Sequence, residues 1–323
     1  MPLLVEQLRG GGLVETVHPI IAAVADATGV RASFGGTFAC FWRSSSKPMQ
    51  LVTSLEQLDP ALVAALPREA LAVGAASHGA TPIHTERVAS LLTTLGCTEH
   101  GLRCGAHWPG DEESARALAR AGGEPTALHN NCSGKHAFML AATLARGWDP
   151  DYRPADHPLQ RLNAARMAEW CGTPAPASAI DGCGIPTFHH PVDSMARGFA
   201  RLAAEMSASN MGSLAHRVGW AMHLAPAMTS SPGELDALLA TAATEPVTAK
   251  RGAEGLLCLA LPNRGLGIAV KALTGVSTAL GPAVRAVLDE VAPGVLPADL
   301  VLPGEEVRNV VGARVGERRA VWS

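Results

Sequence analysis

The chain has 323 residues, 47% of them hydrophobic, 17% charged and 4% aromatic, with 26 basic and 29 acidic side chains and a net charge of −3. That length fits one large domain or two modest ones, and the apolar share with nearly balanced charge excludes a disordered chain. No basic block points to a nucleic-acid partner, and no apolar run reaches the roughly 18 residues of a membrane-spanning helix.

Strand-like runs come first, at Leu3–Leu8, Val14–His18 and Gly36–Trp42. Helical patterns then dominate. Thr85–Leu95 is stopped by Gly96, Asp111–Ala121 by Gly122-Gly123, and a helix capped by Ser133 runs to Arg146 before Gly147. Pro158–Cys171 opens on proline and stops at Gly172, as helix start and stop signals require. Further helices fit Ser194–Ser207, Ser213–His223, Gly233–Thr241 and Pro282–Glu290, with strands at Gly255–Leu261, Gly265–Ala272 and Val307–Val311. Strands at both ends with helices between predict one antiparallel sheet, its edges supplied by the two termini, flanked by helices: an α+β fold. Thr173–Ser178 (Thr-Pro-Ala-Pro-Ala-Ser) is the best internal boundary within a single domain over 1–323, in one or two lobes.

Met1–Glu6 lacks a positive segment leading into an apolar one, so no signal peptide is expected. Seven cysteines, an odd number, with no CxxC pair predict a reduced, cytoplasmic chain without a standard zinc knuckle.

The 26 basic residues comprise 22 Arg and only four Lys: Lys47, Lys135, Lys250 and Lys271. Arg cannot give up its proton in a protein, whereas a buried Lys can. A lysine kept in so Arg-rich a chain is a candidate for work that needs a titratable amine.

Lys271 falls in the clearest local structure. Pro262-Asn263-Arg264 is a turn signal between two apolar runs. If Leu261 pairs with Leu266, Cys258 faces Ala269 and Leu256 faces Lys271. The two-residue period then puts Leu256, Cys258, Ala260, Gly267, Ala269 and Lys271 on one face. This small-residue floor beside a lysine leaves room for a ligand; the competing reading is a solvent-exposed ribbon.

Ser44-Ser45-Ser46-Lys47 has a Ser-x-x-Lys spacing, which on a helix puts the amine beside the hydroxyl of Ser44. A hydroxyl needs an adjacent base to become a nucleophile, and a lysine of lowered pKa can serve. Pro48 disfavours helical angles at Lys47. Ser77-His78 lies at the end of the apolar run Leu71–Ala76. Cys132 and Lys135 share a face at a helix start, where a thiolate is favoured, and Cys183 lies in a Gly-rich loop beside Asp181. Two thiols and a nitrogen donor can hold zinc, although buried, inert cysteines are the commoner outcome. His-Glu-x-x-His, Gly-x-Ser-x-Gly, phosphate-loop and dinucleotide fingerprints are absent.

Together, Arg43–Pro48, Ala76-Ser77-His78 with Pro82 and His84, Cys104–Pro109, Asn130–His136, Asp181–Pro186 and Lys250–Gly255, in this order, resemble the Rhizobium-type (class 3, asparaginase II) L-asparaginases over roughly residues 3–315. The resemblance implies a fold like serine β-lactamases and penicillin-binding proteins, with an antiparallel sheet and flanking helices. It implies hydrolysis of L-asparagine to aspartate and ammonia by two Ser–Lys tandems, Ser44 with Lys47 and Ser77 with Lys271. Arg43, His78, Asp181 and Cys258 are expected near the substrate. Cys132, Lys135 and Cys183 are expected to hold one zinc ion per subunit of a homodimer, in support of substrate binding. The chain departs from the family at Ser77-His78-Gly79-Ala80-Thr81, where a carboxylate and a glycine are missing or shifted, and at Met228–Gly233, in place of a Gly-rich loop. Two other readings remain: a serine amidohydrolase acting on a β-lactam or peptide amide, and a non-catalytic zinc- or amino-acid-binding relative. The absent Ser-Asp-Asn and Lys-Thr-Gly partners count against the first.

Overall fold

A computed structural model describes residues 1–174, 177–231 and 233–323. In chain order the strands and helices are β1 Leu3–Arg9, β2 Leu13–Asp26, β3 Gly29–Phe34, β4 Ala39–Phe41, α1 Lys47–Leu55, α2 Pro60–Ala65, α3 Arg68–Gly74 and α4 Pro82–Thr94. There follow α5 Glu112–Arg120, α6 Ser133–Ala145, α7 Pro158–Cys171, β5 Ala177–Ile180, β6 Pro186–Pro191, α8 Val192–Glu205, α9 Leu214–Leu224 and α10 Leu235–Ala242. The chain ends with β7 Thr248–Gly252, β8 Leu256–Leu261, β9 Leu266–Ala272, α11 Leu280–Val291, β10 Glu306–Arg308 and β11 Arg314–Trp322.

These elements form two compact units. The first comprises Met1–Ser45, His190–Ser207 and Gly233–Ser323; the second, Ser46–His189 and Ala208–Pro232. The Thr173–Ser178 stretch, part of which lies outside the described residues, has the same unit on both sides.

The first unit is built on an antiparallel sheet in the order β10-β11-β1-β2-β9-β8-β7, with β3 also on β2. The expectation that the termini supply its edges is overturned. β1 and β11 pair with each other inside the sheet, Leu3 opposite Trp322. Burial decides this: Leu3 and Val5 are at most 1% exposed, and a long apolar edge would invite aggregation. The edges fall instead to short strands that carry charge, Glu-Val-Arg in β10 and Thr-Ala-Lys-Arg-Gly in β7. The β8–β9 register is the predicted one, with Leu261 opposite Leu266, Cys258 opposite Ala269 and Leu256 opposite Lys271. On the Leu257, Leu259, Ile268 and Val270 face, α11 packs through Leu280, Val284 and Leu288 to make the core.

The opposite, small-residue face is neither a ligand floor nor a solvent-exposed ribbon. Helix α8 covers it so closely that a Cβ on Gly267 would lie 1.9 Å from the Ala200 nitrogen and 2.2 Å from the Ala196 oxygen. The small side chains admit a helix backbone to the sheet.

The second unit is helical, with α1 against α6, α7 and α9, and α3 against α4, α6 and α9. The apolar run Leu71–Ala76 proves to belong mostly to α3. Helix α7 spans the predicted residues and closes on Gly172 in the left-handed conformation. Ser133 is the first residue of α6, one past its cap, Cys132. No helix among the described residues is long and apolar enough to cross a membrane.

Candidate active site

Arg43–Ser46 is a short 3-10 helix that leads straight into α1. Pro48 is accommodated because it sits in the first helical turn, where its missing N–H would have no partner.

Lys47 is buried in the second unit at 1% exposure. Its amine donates to the Ala76 carbonyl, to Ser77 Oγ at 2.9 Å and to the Asn131 carbonyl at 3.3 Å. Ser77 thus meets Lys47, a pairing that the two expected tandems do not include. Burial pushes the Lys47 pKa down and outweighs the Cys132 and Cys183 sulfurs, which push it up; the Lys135 charge adds to the lowering. The two carbonyls accept only, whereas the Ser77 hydroxyl can also give a proton; the Cys132 sulfur lies beside the same amine. A neutral Lys47 can keep both carbonyl bonds and turn its lone pair to the Ser77 hydroxyl. The Ser77 backbone is held by its N–H, which donates to the Thr229 carbonyl at 2.9 Å. Three residues on, Ala80 takes the left-handed conformation at φ 59°, costly for any residue with a Cβ. The altered 228–233 loop includes Pro232, outside the described residues.

His78 does not present a nitrogen to a ligand. Its Nδ1 accepts from the Ala80 N–H at 3.2 Å, so Nε2 carries the proton and donates to Ser133 Oγ at 2.9 Å. Its ring stacks on His84 at 5.1 Å. Burial, then the charges of His84 and Lys47, hold it well below the usual imidazole range and keep it neutral. His78 therefore ties the Ser77 loop to the first turn of α6.

That turn carries the sulfur–amine cluster. The Lys135 amine donates to Cys183 Sγ at 3.2 Å. Asp181–Ile185 folds back on itself to deliver Cys183, the Asp181 N–H donating to the Ile185 carbonyl at 2.8 Å and Asp181 Oδ1 accepting from the Gly182 N–H at 2.7 Å. A hydrogen bond from Cys183, with the Lys47 and Lys135 amines nearby, holds the Cys132 thiol well below its ordinary range. Burial alone would lower the Lys135 pKa, but the Cys183 and Cys132 sulfurs more than offset it and raise it. No group of three or more His, Cys, Asp or Glu that could hold a metal occurs among the described residues. Two sulfurs with an amine nitrogen are nonetheless a donor set that suits zinc, provided Lys135 yields its proton on binding.

In the first unit, Arg43 sits in the left-handed region at φ 47° and pairs with Glu254 at 3.9 Å; Glu254 shares that conformation at φ 61°. The Glu254 carbonyl accepts from Lys271 Nζ at 2.8 Å, and the Ala272 carbonyl also accepts from this amine. The ring of Phe38 lies 6.0 Å away. Burial lowers the Lys271 pKa. Ser44 is half-buried in the 3-10 turn. Cys258 is fully buried in β8 beneath α8, so it is not at a ligand surface. Sequence reasoning missed the carbonyls of Ala76, Asn131 and Glu254, because side-chain identity carries no signal for a main-chain acceptor.

The chain belongs to the L-asparaginase II family, whose sequence model matches residues 5–320. This membership supports an amidohydrolase. No curated protein matches the chain in sequence. Similar solved structures include Mglu in its native form (17% identity, TM-score 0.46, 87% of this chain and 66% of that one). The chain thus spans just under two thirds of Mglu. Others are a beta-lactamase from Mycobacterium bovis (17%, 0.40, 84% and 94%) and simvastatin synthase from Aspergillus terreus (11%, 0.39, 78% and 86%).

Proposed function

We propose that the protein hydrolyses the side-chain amide of L-asparagine to aspartate and ammonia through a serine acyl-enzyme. The observation that carries this reading is the buried Lys47 amine 2.9 Å from Ser77 Oγ, with two carbonyls and the Cys132 sulfur as its other neighbours. Neutral Lys47 takes the Ser77 proton as Oγ attacks the amide carbon. The tetrahedral adduct collapses, the C–N bond breaks, and the Lys47 ammonium returns the proton to the departing nitrogen. Water, deprotonated by Lys47, then cleaves the ester; the proton passes back to Ser77 and aspartate leaves. The resemblance also gives Ser44 and Lys271 a part in catalysis, and Arg43 and Asp181 a part in binding a substrate that bears both an amine and a carboxylate. Cys132, Lys135 and Cys183 would hold zinc, which would supply fixed positive charge in support of substrate binding. The resemblance further implies a homodimer.

The test is ammonia release from L-asparagine by the purified, zinc-supplemented chain. Ser77→Ala is expected to lower kcat at least ~10³-fold, about 4 kcal/mol of transition-state stabilisation. A wild-type protein that binds asparagine in calorimetry without releasing ammonia would favour the non-catalytic relative and overturn the proposal.

A further inference from the structure

Of the four lysines, Lys250 has no role in the mechanism above. Its side chain is fully buried, as is that of Asp236, with Nζ and Oδ2 3.6 Å apart. The amine also donates to the Arg251 carbonyl at 2.9 Å. Arg251 joins the cluster: its N–H donates to Asp236 Oδ2 at 3.4 Å, and its guanidinium pairs with Asp236 at 3.3 Å and with Glu234 at 2.7 Å. A buried ion pair is weak support for stability, since well-packed apolar residues in its place often do as well. Its value here is in what it holds still.

Lys250 lies on β7, an edge strand of the large sheet. Its outward carbonyl is not taken by another strand but by the hydroxyl of buried Ser45, which donates at 2.9 Å. The Ser45 N–H in turn donates to the Trp42 carbonyl at 3.0 Å. β7 runs so close to this turn that a Cβ on Gly252 would lie 2.8 Å from the Trp42 oxygen and 3.1 Å from Ser45 Oγ. The turn that carries Ser44 is therefore docked on an edge strand, and that strand is pinned from α10 through Asp236.

We infer that Lys250, held by Asp236, is a positioning residue for Ser44, acting through its own carbonyl and the Ser45 hydroxyl. The inference rests on the proposed hydrolase reading for its effect on rate, and on geometry alone for its effect on the turn. A misplacement of about 1 Å in a reacting group can cost ~10²-fold in rate, so a loosened turn has a kinetic signature.

The experiment compares Ser45→Ala, the charge-free double variant Lys250→Met/Asp236→Leu, and all three changes together. Steady-state kinetics on asparagine and amide hydrogen exchange at Ser45 are both read. Ser45→Ala and the double variant are each expected to lower kcat at least ~10-fold, with KM changed less than about twofold. The combined variant should be no slower than the slower of the two, because both cut one link. Exchange at the Ser45 amide should quicken about tenfold, with β1 and β2 unchanged. Wild-type kcat and exchange in folded variants, or losses that multiply, would overturn the inference. Should the double variant not fold, Ser45→Ala decides, since it removes a single atom. If the wild type releases no ammonia from asparagine, the hydrolase reading falls, and the exchange measurement alone decides this one.

Discussion

Lys47 at the start of α1 and Lys250 on the edge strand β7 are both buried amines, yet their surroundings differ in kind. Lys47 meets a hydroxyl, two carbonyls and the Cys132 sulfur, and has no carboxylate partner. Lys250 meets the carboxylate of Asp236. Burial outweighs the pull of the Cys132 sulfur, so the first amine is driven toward its uncharged, basic form. The second amine lies against a carboxylate and serves to fix a strand. Burial of a lysine is therefore no guide to its use; the groups that meet its amine are. The same contrast separates the two small-residue regions. The β8–β9 face, for all its Gly and Ala, is filled by α8, whereas the Ser77 loop holds its hydroxyl against an amine.

The sharpest way to break this comparison is to remove the Lys47 amine. Lys47→Met keeps the length of the side chain and is expected to lower kcat on asparagine at least ~10³-fold, about 4 kcal/mol. Activity within tenfold of wild type would make Lys47 as structural as Lys250. The pH profile carries the same point. Lys47 works as a base only when neutral, so kcat/KM should rise with pH through an apparent pKa below the ordinary 10.5. A profile that is flat, or that falls as pH rises from neutral, contradicts that role.

Gly267→Ala tests the filled face next. The added methyl must push the sheet and α8 apart, at a cost of about 3 kcal/mol seen as a lower urea midpoint. Unchanged stability with a raised KM would restore the ligand floor that the sequence predicts. The sulfur cluster gives a smaller effect. Lys135→Met should weaken zinc binding at least ~10-fold by competition with a chelating dye, and zinc binding to the wild type should release a proton because Lys135 is protonated before the metal enters. Binding as tight as wild type would remove Lys135 from the ligand set. Smallest is Ala80→Gly, which relieves the left-handed backbone beside Ser77 at some cost in unfolded-chain entropy. The net gain expected is about 0.5 kcal/mol in chemical denaturation; a loss would show that the Ala80 methyl itself packs usefully.

Much of the architecture was legible. Turn and stop signals located α7, and the β8–β9 register followed from Pro262-Asn263-Arg264. β11 was not found, because Arg-Val-Gly-Glu-Arg-Arg-Ala-Val-Trp reads as a charged surface segment until β1 and β10 flank it. The candidate residues were legible as types: Lys47 and Ser77 both stood out, Lys47 by composition and both by motif. Their pairing was not, since Ser44 is nearer to Lys47 in sequence and Ser77 lies thirty residues away.

By itself, then, the sequence determined where several of the helices start and stop, which face of the β8–β9 hairpin is apolar, and which few side chains can carry chemistry. These are local matters of period, turn geometry and the titration of an amine. Only the tertiary structure decided that the chain ends meet inside the sheet, that α8 fills the small-residue face, that His78 is a link and not a ligand, and that Lys47 finds Ser77. Such contacts join residues far apart in the chain, and they are chosen by which surfaces fit and which buried polar atoms find partners when the whole molecule packs.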